Sequence, residues 1–160
     1  MEISTAIQKE EMSFDLLKEK ASGLAAIVET NKGKFYQLFS TQDTTFNRYL
    51  MNLSGLFKDG FYLGIEVIKK EDVSFANNVR RFANEYTYEC IAFPTILYQK
   101  KDDAIVLKIV EAIAKEETLE EKKMDGQQYF MPIASYEKIY TKTEINNTQK
   151  LLQSSTFDLL

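Results

Sequence analysis

Few residues in this sequence have the types and the spacing that chemistry needs. Glu66, Lys69 and Asp72 fall within seven positions and combine groups that a hydrolase or nuclease site could use. Such a site would need a further acidic residue upstream, either Asp43 or Asp59. Because 28% of the residues are charged, a solvated strand end explains the cluster better. We therefore expect no catalytic residue here and keep a small carboxylate-dependent hydrolase or nuclease as the alternative.

Missing residue types exclude several other chemistries. The sequence has no histidine, which removes Ser-His and Cys-His nucleophiles and histidine metal sites. Cys90 is the single cysteine, so neither an intrachain disulfide nor a Cys-rich zinc site can form. Its apolar sequence context indicates a small buried hydrophobic residue rather than a reactive thiol. We predict no cofactor and no metal site.

The charge pattern disfavours nucleic acid as a partner. The chain carries 20 basic and 24 acidic residues, a net charge of −4, whereas a grip on phosphates needs clustered Lys and Arg. The nearest approach to a basic cluster is Lys69, Lys70, Arg80 and Arg81, with both arginines expected to face water. The acidic run between 116 and 121 is flanked by lysines, which predicts pairing within a helix rather than a cation site.

Length and hydropathy favour one cytoplasmic domain. A chain of 160 residues, 44% of them hydrophobic, can bury a core without disulfides. No stretch approaches eighteen continuous apolar residues, and the first twelve residues lack the features of a signal peptide. We expect no membrane association.

Hydrophobic periodicity predicts alternating helices and strands. The predicted helices are 13–29, 46–57, a segment that begins near Asp72 or Ser74, and 116–123. The predicted strands are Lys34–Phe39, Leu63–Ile68, Thr95–Gln99 and Ala104–Val110, with Lys100 to Asp103 as a hairpin turn between the last two.

This order resembles the thioredoxin fold over roughly residues 13–123. Phe39 at the end of the first central strand, Tyr88 six positions before Pro94, and the strand opening Phe93-Pro94-Thr95 carry the resemblance. It implies an α/β, three-layer sandwich, with Thr95–Gln99 antiparallel to Ala104–Val110. It also implies a cis peptide bond before Pro94.

The sequence departs from that family where its redox loop belongs. Thr44 and Asn47 stand about where the two cysteines of a Cys-x-x-Cys pair would be, and Leu38 replaces a buried acidic residue. Dithiol exchange needs both thiols, so the resemblance implies a redox-inactive, non-catalytic protein-binding module. Its peptide groove would comprise two segments: Thr41, Gln42, Asp43 and Thr44, together with Phe93, Pro94 and Thr95.

The remaining residues predict parts added to such a domain. Residues 1–12 are expected to be an N-terminal arm, 13–126 the thioredoxin-like domain, and 127–160 a C-terminal extension for assembly or docking. The tail residues Phe157, Leu159 and Leu160 bury nothing at a free end, so they are candidates for binding a partner or the chain's own surface. We expect a structural or adaptor subunit that binds a protein partner or forms a homo-oligomer.

Overall fold

The computed structural model describes residues 14–115 and 128–155 and divides into two compact units, residues 1–63 and 64–160. We call them the N-terminal and the C-terminal unit and describe each by itself. The arm, domain and extension predicted at 1–12, 13–126 and 127–160 stay predictions. The helix predicted at 116–123 lies outside the described residues.

The described elements alternate between helix and strand. The helices are α1 (Phe14–Lys20), α2 (Gly33–Ser40), α3 (Phe46–Leu56), α4 (Asp72–Glu85), α5 (Ala104–Lys115), α6 (Ile133–Tyr136) and α7 (Lys142–Ser154). The strands are β1 (Ala26–Glu29), β2 (Phe61–Ile65) and β3 (Glu89–Ala92), and a 3₁₀ turn covers Lys101–Asp103. The strands form one parallel sheet in the order β1-β2-β3. The molecule is an α/β protein with a three-stranded parallel sheet and flanking helices, which confirms the coarse fold class.

The N-terminal unit is built around an aromatic cluster. Phe35 and Phe39 of α2 stack with their ring centroids 5.5 Å apart, and Phe46 of α3 meets Phe35 edge-on at 5.1 Å. The strand predicted at Lys34–Phe39 is therefore wrong. Its aromatic composition is typical of a strand, but the rings of two phenylalanines four positions apart come into contact in a helix, whereas a strand would hold them about 13 Å apart.

The helix predicted at 13–29 is also wrong in its second half. α1 ends at Lys20, and Gly23 then adopts a φ of 77°, a left-handed conformation that glycine reaches without steric cost. The Gly23 N–H donates to Asp59 Oδ2 at 2.8 Å, which fixes the turn. The chain continues as β1, where the Ala26 N–H donates to the Gly60 carbonyl at 2.9 Å.

The core of the C-terminal unit lies between the sheet and α4. Ile65 of β2, Val79 of α4 and Ile91 of β3 are each at most 1% exposed. The helix predicted from Asp72 is confirmed. The Asp72 carboxylate accepts hydrogen bonds from the Ile68 and Lys69 N–H groups at 2.9 and 3.0 Å, and so closes the turn that leads into α4.

The strands predicted at Thr95–Gln99 and Ala104–Val110 are wrong, and so is the hairpin between them. Residues 104–115 form α5, preceded by the 3₁₀ turn, in which Asp103 Oδ2 accepts from the Lys100 N–H at 3.1 Å. Of the first predicted strand, only Tyr98 makes a bridge, parallel to Tyr129. The antiparallel pair that the thioredoxin resemblance implies is thus not formed by these residues.

The C-terminal helix α7 covers the outer edge of β3. Asn147 Nδ2 donates to the Cys90 carbonyl at 3.0 Å, and Thr148 Oγ1 donates to the Ala92 carbonyl at 2.8 Å. These carbonyls alternate with Ile91 along β3 and would otherwise lack partners in the sheet. An uncovered edge is a template for unwanted strand pairing, so α7 both satisfies and protects it.

Candidate protein-binding surface

The predicted loop residues Thr41, Gln42, Asp43 and Thr44 lie together, exposed, between α2 and α3 of the N-terminal unit. Gln42, Asp43 and Thr44 line a pocket of about 310 Å³. The Asp43 carboxylate accepts from the hydroxyl and the N–H of Thr45, and these two hydrogen bonds lower the pKa of Asp43. That carboxylate therefore supports the start of α3.

The second predicted segment, Phe93 to Thr95, lies in the C-terminal unit directly after β3. The Phe93 N–H donates to the Ile65 carbonyl at 2.9 Å, and the Thr95 N–H donates to Glu66 Oε2 at 2.6 Å. The predicted cis bond before Pro94 is wrong, because the described residues contain no cis peptide. Phe93 remains 37% exposed, whereas Pro94 and Thr95 are half-buried.

The predicted groove therefore draws on residues of two separate units. Its loop belongs to the N-terminal unit, and Phe93 to Thr95 belong to the C-terminal one. The predicted tail residues Phe157, Leu159 and Leu160 lie outside the described residues.

The carboxylates that a hydrolase or nuclease site would use accept hydrogen bonds from backbone N–H groups. Glu66 binds the N–H of Thr95, Asp72 binds two N–H groups at the start of α4, and Asp59 binds that of Gly23. Within residues 14–115 and 128–155, no group of three or more acidic or cysteine side chains is placed to hold a metal ion. These carboxylates fix turns and strand ends.

Arg80 is not a water-facing cation as the sequence suggested, but half-buried and paired with the buried carboxylate of Glu144. Its Nε lies 2.6 Å from Glu144 Oε1 and its Nη2 lies 3.0 Å from Oε2. The hydrogen bond to Glu144 raises the pKa of Arg80. The pair borders a pocket of about 320 Å³ that Cys90 also lines. Burial raises the pKa of the Cys90 thiol to about 12, so it is neutral and unreactive at physiological pH.

The most exposed apolar surface lies on α5. Ala104 is its one buried residue, and among the described elements its substantial packing is with the 3₁₀ turn Lys101–Asp103. We call its exposed apolar side chains the α5 face. They are Ile105 at 52%, Val106 at 57%, Ile109 at 38%, Val110 at 56% and Ile113 at 72% exposure.

Helical geometry explains why the α5 face carries no charge. Lys108, Glu111 and Lys115 are spaced by three and four positions, so they share one narrow stripe of the helix. The apolar side chains occupy the remaining circumference. This spacing of the polar residues was the available sequence signal, and a strand assignment of Ala104–Val110 concealed it.

Further apolar side chains of the same unit are exposed before and after α5 in sequence. The Leu97 N–H donates to the Gln128 carbonyl at 2.8 Å, and the Tyr98 and Tyr129 rings stack 6.2 Å apart. Four large side chains near this junction face water: Ile96 at 46%, Leu97 at 49%, Phe130 at 69% and Ile133 at 71% exposure. The C-terminal unit thus exposes more apolar surface than α5 alone.

No protein-family model matches the chain, and no curated protein matches its sequence. The thioredoxin resemblance accordingly stays a prediction. None of the helices in the described part of the chain is both long enough and apolar enough to span a membrane.

Proposed function

We propose that the chain is a non-catalytic protein-binding module, a structural or adaptor subunit, and that it binds through the α5 face. The observation that carries this proposal is the exposure of five β-branched side chains on one uncharged helix surface. Their exposed fractions correspond to about 500 Å² of apolar area, and patches of about 300–600 Å² on monomers are often functional.

The chemistry of the surface specifies the kind of partner. A convex, uncharged helix face offers neither a pocket for a small molecule nor a cation for phosphate. It suits another α-helix that carries an apolar stripe, packed side by side as in a helical bundle. The thioredoxin-like groove that the sequence suggested draws on residues of both units, and the tail lies outside the described residues.

A site-specific photocrosslink tests this proposal. The photoreactive amino acid p-benzoylphenylalanine replaces Ile113 in the full chain, which is expressed in cells and irradiated. The matched control carries it in place of Leu152 of α7, which is 70% exposed but lies outside the α5 face. We expect a discrete protein adduct from position 113 that disappears when Val110→Asp is added, and none from position 152. Equal adducts at both positions, or no adduct at 113, would contradict the proposal.

A further inference from the structure

We infer that the α5 face binds a second copy of this chain, with the two α5 helices antiparallel across a twofold axis between Ile109 and Val110. The inference rests on the proposed function and adds the identity of the partner. In such an interface the same patch meets itself, so each residue must fit the residue to which the axis relates it.

The sequence of α5 meets this condition at every position near the axis. Inversion about the midpoint relates Ile109 to Val110 and Val106 to Ile113, so β-branched side chains oppose β-branched side chains. At the edges of the face it relates Ile105 to Ala114, so the larger side chain opposes an alanine there. Alternation of large and small residues is what lets facing helices interdigitate without gaps.

Two of the three charges of α5 obey the same inversion, whereas Lys115 is related to Ala104. Lys108 is related to Glu111, which have opposite signs, so the antiparallel pair brings no like charges into corresponding positions. Both lie on the stripe away from the α5 face, so neither charge enters the proposed interface.

The available area supports a dimer of moderate affinity. About 500 Å² from each copy gives a total of about 1,000 Å², the lower limit for a specific interface. Micromolar dissociation is therefore expected.

Sedimentation equilibrium of the purified full chain tests the dimer. Over loading concentrations of about 5–200 µM we expect a concentration-dependent rise from monomer to dimer mass. Val106→Glu should weaken dimerisation at least about tenfold, because it places a charged carboxylate against the apolar Ile113 side chain of the second copy. Leu152→Glu, the same kind of change on an exposed leucine of α7, should leave the mass profile unchanged. A wild-type chain that stays monomeric at the highest concentration would overturn the inference.

A charge-pairing experiment tests the antiparallel register. Val106→Glu and Ile113→Lys should each be monomeric alone but form a mixed dimer when combined, because the axis places position 106 opposite position 113. Val106→Glu mixed with Val106→Lys should not associate. Association of the second mixture but not of the first would overturn the antiparallel arrangement. Both positions are more than half exposed, and circular dichroism of each variant checks that the chain is folded.

Failure of this inference is distinguishable from failure of the proposed function. If the purified chain is monomeric but position 113 still gives a face-dependent adduct with a different protein, the second copy is wrong and the binding role stands. If position 113 gives no adduct and the chain is monomeric, both proposals fail.

Discussion

At the scale of single residues, Glu144 connects two parts of the C-terminal unit. Its two carboxylate oxygens bind the guanidinium of Arg80, and Oε2 also accepts from the Thr141 N–H at 3.0 Å. The Glu144 side chain is 3% exposed. Loss of Glu144 would leave the Arg80 side chain, which is 20% exposed, with only Asn77 Oδ1 and the Ile139 carbonyl as hydrogen-bond acceptors.

Glu144→Ala should therefore lower the free energy of unfolding by about 1.5–3 kcal/mol, measured by urea denaturation. The matched control is Glu29→Ala, because Glu29 forms an exposed ion pair with Lys32 at 3.1 Å. Its loss should cost less than about 1 kcal/mol. Equal effects of the two substitutions would mean that the buried pair contributes no more than the exposed one.

The raised pKa values of Cys90 and Tyr140 predict that the fold is less stable at alkaline pH. Burial raises the pKa of each to about 12, above the ordinary values of 9.0 and 10.0. Because the folded state favours the neutral forms, their contribution is fully present below the unfolded pKa values and is lost as pH rises toward 12. We expect the melting temperature to fall between pH 9 and 12, less steeply in Cys90→Ala. Equal slopes in the variant and the wild-type chain would contradict the role of Cys90.

The sequence could predict residue chemistry only where the prediction depended on residue types that the chain lacks. The lack of histidine and the single cysteine exclude whole classes of site without any structure. The partnership of Arg80 and Glu144 was out of reach, because 64 positions separate them and only the packing of α7 brings them together. Arg80 was accordingly expected to face water.

At the scale of elements, the predictions for α3, β2 and α4 are confirmed, whereas α2, α5, β1 and β3 were missed. The reason is clearest in α5. Its first seven residues are rich in β-branched side chains and fit a strand as well as a helix, and only the continuation to Lys115 decides for the helix. Intrinsic preference is weak evidence in such short apolar runs.

The pairing of α7 with β3 gives a prediction at this scale. Thr148→Val keeps the shape of the side chain but removes the hydroxyl that donates to the Ala92 carbonyl at 2.8 Å. The free energy of unfolding should fall by about 1–3 kcal/mol, the cost of an unsatisfied buried acceptor. Amide hydrogen exchange along β3 should quicken as well. Thr143→Val, an exposed position of the same helix, is the matched control and should change neither quantity.

At the scale of the whole molecule, strand order was the least predictable feature. Which strands pair depends on contacts between distant segments, and a strand assigned a few residues too late changes the topology that the elements imply. The sequence predicted a strand at Thr95–Gln99, whereas the strand lies at Glu89–Ala92. The thioredoxin-like hairpin was predicted from the misplaced strand. The α/β class survived because it needs only the alternation of helices and strands.

The described part of the C-terminal segment packs against the rest of the C-terminal unit, and whether residues 127–160 are a separable extension stays a prediction to be tested. Met131 and Tyr140 are each 4% exposed, and the Tyr140 hydroxyl accepts from the Val67 N–H at 3.2 Å. Asn147 occupies the outer edge of β3. Removal of the segment would uncover that edge and leave Arg80 without its buried partner.

A chain that ends at Gln127 should therefore lose cooperative unfolding in the C-terminal unit, seen as a broadened urea transition and rapid amide exchange in β3 and α4. A synthetic peptide of residues 128–155, added in trans, should restore both, because it supplies the edge contacts of Asn147 and the carboxylate of Glu144. The same peptide with Glu144→Ala is the matched control and should restore much less. An unchanged unfolding midpoint in the truncated chain would show instead that 127–160 is the separable extension that the sequence suggested.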